Sequence, residues 1–174
     1  LIGTEAFRDC SSLTNISIPR GINSISIYVF YGCSSLTCVN IPKSLEWIGI
    51  GAFLHCDNLS DIYYEGSEEE WNGISRLTDE LDSVTVHYNY SDAQQPDEPD
   101  IPQDPGITET PDGVYPVEGG NIYYDMEGVI TDSDTSVVID EIPYTVDGIK
   151  VTAIGAGAFE GCTNLTELTV PDGV

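Results

Sequence analysis

The chain repeats a short pattern every 23 residues over its first third. Each unit contains a phenylalanine followed three residues later by a cysteine, and isoleucine, leucine and proline columns keep the same step, which gives I-x-x-x-(A/V)-F-x-x-C-x-x-L-x-x-I-x-I-P. The residues of the two columns, with one later copy, are Phe7, Phe30, Phe53 and Phe159, and Cys10, Cys33, Cys56 and Cys162. A fixed period in this range predicts a stack of structurally equivalent units rather than an ordinary globular core.

Each unit predicts one short β-strand. In "LTNISIP" the side chains of Ile16 and Ile18 project to one side of a strand and Ser17 to the other. Successive strands would stack about 4.8 Å apart in a parallel sheet, and the F-x-x-C segment would return along the opposite side with its phenylalanine between layers. The L-x-x-L-x-L spacing at this period is that of a leucine-rich repeat solenoid, which is the fold that we predict.

The repeat columns are also similar to a known family. "IGTEAFRDCSSLTNISIP", "CSSLTCVNIPKSLEWIGIGAFLHC" and "VTAIGAGAFEGCTNLTELTVPDGV" resemble the BspA-like leucine-rich repeats of bacterial surface proteins, over residues 1–64 and about 149–174. Ser26 and Val29 stand where glycine and alanine are usual, and these departures concern packing. The resemblance implies a bacterial protein that is secreted or located at the cell surface and that acts in adhesion.

The period breaks after residue 64. Ser67 and Glu70 have the spacing of a capping box, which predicts a helix at about 67–74. The alternating "SVTVHY" then predicts one more strand. A solenoid needs its last hydrophobic layer covered, so we predict that residues 67–90 form the C-terminal cap of a first module spanning 1–90.

Residues 91–112 are predicted to be a disordered linker. They contain five of the ten prolines and seven acidic residues, with no basic residue, and such a composition favours an extended spacer. Hairpin signals such as Gly119-Gly120 and Asp147-Gly148 then predict a β-rich N-terminal cap. Residues 113–174 would thus be this cap and the first repeat of a second, truncated module, held apart from the first.

Both ends of the chain lie inside a repeat, at nearly the same phase. We therefore expect a longer parent protein with further repeats of the same kind on both sides. No signal peptide is visible in this segment, which begins inside a repeat.

Charge restricts the partners. The chain has 30 acidic and five basic residues, a formal net charge of −25. A nucleic-acid partner is disfavoured because there is no basic patch to neutralise phosphates. The sequence also has no run of 18 apolar residues, so it predicts no membrane insertion for this part of the protein.

The cysteines are predicted to form a reduced, buried ladder, because free cysteine packs as a small hydrophobic residue. A disulfide between neighbours is an alternative, since their Cα spacing falls within range although parallel Cβ vectors fit it badly. A zinc site would need closely spaced pairs that converge on one point. Cys38 lies outside the ladder, at an outward strand position, where it is either a reactive thiol or an incidental exposed one.

We predict no catalytic residue, no cofactor and no metal site. His55 is next to Cys56, but adjacent residues in a tight return segment usually point apart, and no catalytic motif is present. "TDSDTSVVIDEI" begins like a calcium loop, yet Val137 and Pro143 replace the required glycine and glutamate. A hairpin is favoured there, and incidental calcium binding stays open.

Any binding is predicted on the exposed face of the sheet, because solenoids use such faces to contact partners. The outward positions, with Cys38 among them, are Asn15, Ser17, Asn40, Asp61, Tyr63, Thr85 and His87. We expect a non-enzymatic binding or adhesion protein whose partners are proteins or glycans at the cell surface. The alternative is a structural spacer or accessory module of a larger extracellular protein, an enzyme included.

Overall fold

The computed structural model describes residues 1–77, 79–91 and 113–174. They form a β-solenoid of about five turns with little helix. Its elements are β1 (Asn15–Ser17), β2 (Ser24–Ile25), β3 (Cys38–Ile41), β4 (Trp47–Ile48), β5 (Asp61–Tyr64), α1 (Glu68–Gly73), β6 (Ser75–Arg76), β7 (Thr85–His87), β8 (Val114–Val117), β9 (Gly120–Tyr124), β10 (Val129–Ser133), β11 (Thr145–Val146), β12 (Ile149–Lys150), β13 (Ala153–Ile154) and β14 (Glu167–Thr169).

Two parallel ladders run along the stack. The wider sheet has the strand order β14-β1-β3-β5-β7, and the narrower one has the order β2-β4-β6. Every pairing in these two sheets is parallel. In β3 and β5 buried and half-buried residues alternate, which places one side of the wider sheet on the core and leaves the other facing water.

The predicted phenylalanine column is the centre of the core. The rings follow the order Phe159, Phe7, Phe30, Phe53, with successive centroids 5.5, 5.6 and 5.4 Å apart. The interplanar angles of 9°, 4° and 21° make this an offset stack. A large side chain at one position of the repeat therefore fills four successive layers of the solenoid.

The C-terminal repeat is stacked on the first repeat. Strand β14 pairs with β1 in the register Ile16↔Leu168, and β1 pairs with β3 in the equivalent register Ile16↔Val39. This differs from the expectation that the linker holds two modules apart. The physical reason is that the first repeat has an apolar layer, with Ile2 and Phe7 almost fully buried in the structure, and the C-terminal repeat supplies matching residues to cover it.

Residues 113–141 lie beyond the C-terminal repeat. Strands β8, β9 and β10 form an antiparallel meander whose last strand joins β13 in parallel. The turn between β8 and β9 is at Gly119, which has a φ of 80°. In the segment "TDSDTSVVIDEI", where the sequence favours a hairpin, Asp132 and Ser133 still belong to β10, so the turn comes after Ser133.

Residues 67–90 lie at the opposite end. Helix α1 begins after Ser67, whose side chain accepts from the Glu70 amide at 3.2 Å, while the Glu70 carboxylate accepts from the Ser67 amide at 2.8 Å. Trp71 is buried, with its ring centroid 5.3 Å from that of Tyr64 in the last repeat. The capping box therefore starts a helix that directs an aromatic ring onto the final layer. In the described parts of the chain, no helix has the length and apolarity needed to cross a membrane.

Candidate functional site

Outward side chains of the wider sheet form two straight rows, because parallel strands in equivalent register place equivalent residues side by side. The first row is Glu167, Asn15, Cys38, Asp61 and Thr85, and the second row is Thr169, Ser17, Asn40, Tyr63 and His87. All seven residues predicted for the binding face lie in these rows. Each is half-buried or exposed, so each can contact a partner.

One end of the rows carries a cluster of interacting side chains, Asp61, Tyr63, His87 and Tyr90, here called the tyrosine–histidine cluster. The rings of Tyr63 and His87 stack at 4.6 Å with an interplanar angle of 12°. The Tyr90 ring also contacts the Tyr63 ring, with the centroids 4.9 Å apart and an interplanar angle of 51°. His87 Nε2 is 2.7 Å from Asp61 Oδ1. Stacking and hydrogen bonding together hold these four side chains in one arrangement on an exposed surface.

Asp61 carries the negative charge of this cluster. The Ser60 hydroxyl donates to its Oδ2 at 2.6 Å, and this bond, followed by the contact with His87, lowers the pKa of the Asp61 carboxyl. Hydrogen bonds to a carboxylate favour its charged form. The cluster therefore presents a fixed carboxylate beside two phenol rings and an imidazole.

A shallow pocket of about 20 Å³, open to solvent, adjoins the cluster. Its walls are Ser17, Ile18, Asn40, Ile41, Pro42, Tyr63, Glu65 and Tyr90. The Asn40 amide donates to Ser17 Oγ at 2.9 Å, and Arg20 is bound to Glu65 at 2.9 Å. Aromatic side chains beside amide, hydroxyl and carboxylate groups suit surface contact with a partner that has a flat apolar face and hydrogen-bonding groups at its edge.

The sequence predicted which side of the sheet faces outward, but it did not identify all residues of the candidate site. Asn15 and Thr85 lie in the first row, away from the aromatic pocket, whereas Glu65 and Tyr90 line the pocket and were not predicted. Glu65 directly follows β5 and Tyr90 is the third residue after β7, so both lie outside the alternating residues used to assign the face. The "YNY" after β7 was the available signal, since an aromatic residue just beyond an exposed strand can fold back onto it.

The repeat cysteines lie in the core and have a specific role there. Cys10, Cys33 and Cys56 each donate from Sγ to the carbonyl oxygen of the phenylalanine in the preceding layer, at 3.1 Å in every case. Cys162 Sγ is 3.3 Å from Ser133 Oγ. Cysteine is thus a small apolar residue that also satisfies a buried carbonyl, which supports the predicted structural ladder.

Other candidate chemistry is not assembled in the described residues. The His55 ring packs edge-on against Tyr31 at 5.1 Å, while Cys56 Sγ is bonded to the Phe30 carbonyl. Asp134 accepts from the backbone and side-chain amides of Asn121, which braces the β-meander. Among the residues that the structure describes, no group of three histidine, cysteine, aspartate or glutamate side chains could hold a metal ion.

Sequence reasoning also missed a second aromatic surface, on the return side of the solenoid. The rings of Tyr28 and His55 both pack edge-on against the Tyr31 ring, with centroid distances of 5.6 and 5.1 Å. The Arg8 guanidinium lies 4.9 Å from the centre of the Tyr31 ring. Its residues occupy variable positions of the F-x-x-C segment. None of its residues lines the pocket beside the tyrosine–histidine cluster, so Tyr31 is a suitable comparison for the aromatic residues of the sheet face.

A thiol reagent should distinguish the ladder from Cys38. Burial raises the pKa of Cys56 to about 12 and of Cys162 to about 11, so near pH 8 these buried thiols are protonated as well as inaccessible. We expect a maleimide to modify one thiol, Cys38, in the folded protein, and all five after denaturation. Mass spectrometry of the labelled chain measures this.

The Cys38→Ser variant is the control and should remain unlabelled while folded. Rapid modification of Cys33 in the native protein would contradict a buried ladder. Failure to label all five thiols after denaturation without reductant would instead indicate a disulfide.

The sequence comparisons agree with this architecture. A model of the BspA type leucine rich repeat region matches residues 1–91 and 142–174, in six copies. Searches of curated proteins and of solved structures gave no significant match. The two matched ranges meet in the structure at the pairing of β14 with β1.

Proposed function

Because the chain belongs to the BspA-type leucine-rich repeat family, we propose that it is a non-enzymatic binding protein, secreted or at the cell surface, whose sheet face contacts proteins or glycans. The repeat provides a rigid support, and fold alone does not assign a ligand. The proposed binding role must therefore be supported by the chemical character of the side chains on the sheet face.

The tyrosine–histidine cluster is the observation that supports this binding role most strongly. Most outward residues of the rows are small and polar, but Tyr63, His87 and Tyr90 concentrate aromatic surface beside a pocket. Aromatic residues with a polar tip are enriched in the energetically important parts of interfaces, because they bury a large area with few rotatable bonds. A polar sheet face that served only as solvated surface would not need such a concentration.

The negative charge of the chain restricts the kinds of partner that can bind to the sheet face. The chain carries −25 overall, and Asp61 and Glu65 place carboxylates beside the aromatic rings. A protein partner would present lysine or arginine side chains, which can pair with the carboxylates and lie over a tyrosine ring. A glycan partner would stack a sugar face on the rings and hydrogen-bond to Asn40 and Asp61. A polyanionic partner would be repelled.

The direct test is a binding screen with the full 174-residue chain against a glycan array and a panel of purified extracellular matrix proteins. For a partner found in the screen, Tyr63→Ala and His87→Ala should each weaken binding about tenfold or more, the size of effect typical of central interface residues. Isothermal titration calorimetry or surface plasmon resonance gives the dissociation constants.

Tyr31→Ala is the matched control, since it removes an aromatic ring from the return side. It should leave the affinity unchanged. Binding that is unaffected by both Tyr63→Ala and His87→Ala but is lost in Tyr31→Ala would move the site to the return side. Full affinity in all three variants would contradict a role for either aromatic surface.

A further inference from the structure

We propose that the pairing of β14 with β1 also forms between two copies of this chain, so that the C-terminal repeat of one copy completes the solenoid of another. The proposal concerns assembly and does not depend on the ligand of the sheet face. It rests on the quality of the interface and on how the chain is connected across it.

The contacts between β14 and β1 match those inside the continuous repeats. Phe159 and Phe7 stack at 5.5 Å, compared with 5.6 Å for Phe7 and Phe30. The Cys10 thiol donates to the Phe159 carbonyl at 3.1 Å, the distance found for the equivalent bonds in the following layers. The first repeat therefore accepts residues 142–174 as one more turn of the same solenoid.

Backbone hydrogen bonds cross this interface on both sides of the solenoid. Gly3 N donates to Ile154 O and Thr14 N to Thr166 O, both at 2.7 Å. On the return side the bonds run the other way, from Phe159 N to Ala6 O at 2.8 Å and from Gly161 N to Arg8 O at 2.7 Å. The Arg20 amide also donates to Asp172 Oδ1 at 2.7 Å. Main-chain pairing of this extent makes the interface specific in register.

The chain is not continuous across this interface. Strands β1 and β3 are joined directly by residues 18–37, whereas the covalent path from β1 to β14 passes through the remaining repeats and through residues 91–112. Nothing in the contacts distinguishes a chain's own C-terminal repeat from that of a second copy. Elements attached in this way are the ones that exchange between protomers in domain swapping.

Exchange would give discrete units rather than one growing solenoid. In the described residues, 113–141 lie beyond the C-terminal repeat at one end of the stack and 67–90 lie beyond the third repeat at the other. Each completed stack would therefore contain the same five turns as the closed monomer. Two chains can exchange reciprocally to form a closed dimer, and a larger number form stacks connected through the 91–112 segments.

The protein concentration determines whether a chain closes on its own C-terminal repeat or exchanges that repeat with another chain. A 22-residue connection reaches at most about 75 Å. The strands that it joins, β7 and β8, are separated along the stack by about seven strand spacings, or about 34 Å, so a chain can close on itself. Tethering through 22 residues gives the C-terminal repeat an effective concentration in the millimolar range. We expect closed monomers at micromolar concentration and exchanged species after refolding at high concentration or where copies are crowded.

The test mixes two reporters, each with one accessible cysteine introduced into a Cys38→Ser background that retains the four buried cysteines. One chain carries Ser17→Cys and the other Thr169→Cys, which are directly opposed in the β1–β14 register. They are co-refolded at about 1 mM, diluted and treated with a short bismaleimide. We expect a covalent dimer to form at least fivefold above the control mixture.

In the control mixture Asn40→Cys replaces Thr169→Cys. Ser17 and Asn40 are also directly opposed, between β1 and β3, but these strands belong to one continuous segment and should not exchange. Equal amounts of dimer in the two mixtures, whether high or absent, would overturn the proposal.

A deletion variant provides a second test. Removing residues 94–109 leaves six of the 22 connecting residues, which reach about 20 Å, too short to close the monomer. Light scattering at 10 μM should show dimers or larger species for this variant and monomers for a chain lacking only residues 100–103. A folded monomer of the 94–109 deletion would contradict the proposal, and the crosslinking result stands whether or not this variant folds.

Discussion

Replacing Phe30 with alanine should lower the free energy of unfolding by about 3–5 kcal/mol, the range for removing a buried aromatic ring. Phe30 has no exposed surface and is stacked between Phe7 and Phe53. Its loss leaves a cavity that the layers above and below cannot fill, because their backbones are fixed by the parallel ladders. For a chain of this size we expect the melting temperature to fall by about 10 °C, measured by thermal and urea denaturation.

Phe53→Ala is the graded control for this prediction. Phe53 has one stacked ring neighbour, Phe30, and also lines an opening of about 320 Å³ together with Glu80. The site can relax toward that opening, so the variant should lose less stability than Phe30→Ala. Equal losses at both positions would contradict the view that the interior of the stack is more tightly packed than its end.

Gly49→Ala should destabilise the solenoid by about 1–3 kcal/mol, despite adding only one methyl group. A Cβ at Gly49 would lie 2.7 Å from Ile27 N and from Ser26 C, both backbone atoms of the preceding turn. Such atoms cannot move aside without disturbing the bond from Gly49 N to Ile25 O. The expected fall in melting temperature is about 3–10 °C, measurable by circular dichroism.

Gly73→Ala is the matched control, because a Cβ there has no heavy atom within 4 Å. Gly73 is the last residue of α1, and alanine is favoured over glycine in helices by about 0.5–1 kcal/mol. This variant should be neutral or slightly more stable. A loss at Gly73 equal to that at Gly49 would show that close backbone approach is not the cause.

The fold of each repeat could be predicted from the sequence because its determinants are local and recur. Alternation in "NIS" assigns β1, and the repeated phenylalanine marks the buried layer at every turn. The spacing of Ser67 and Glu70 likewise predicts α1, whose capping box is present in the structure. The same periodicity identified the face on which the outward residues lie.

The arrangement of the C-terminal repeat could not be predicted in this way. No local pattern near Glu167 or Asn15 specifies that β14 and β1 pair, because two repeats of one type are equally compatible with neighbours before and after them. The pocket residues Glu65 and Tyr90 were missed for a related reason. Their position depends on how the chain leaves a strand, and alternation within the strand carries no information on that.

The most direct test of a single five-turn solenoid is the ring contact between Phe159 and Phe7, 5.5 Å apart by centroid. Nuclear Overhauser effects between aromatic protons of selectively labelled phenylalanines, recorded on a dilute monomeric sample, measure it. The pairs Phe7–Phe30 and Phe30–Phe53 are internal references at similar separation. We predict that all three pairs give effects of comparable strength. Clear effects for the two reference pairs with none between Phe159 and Phe7 would show that the C-terminal repeat is not stacked on the first.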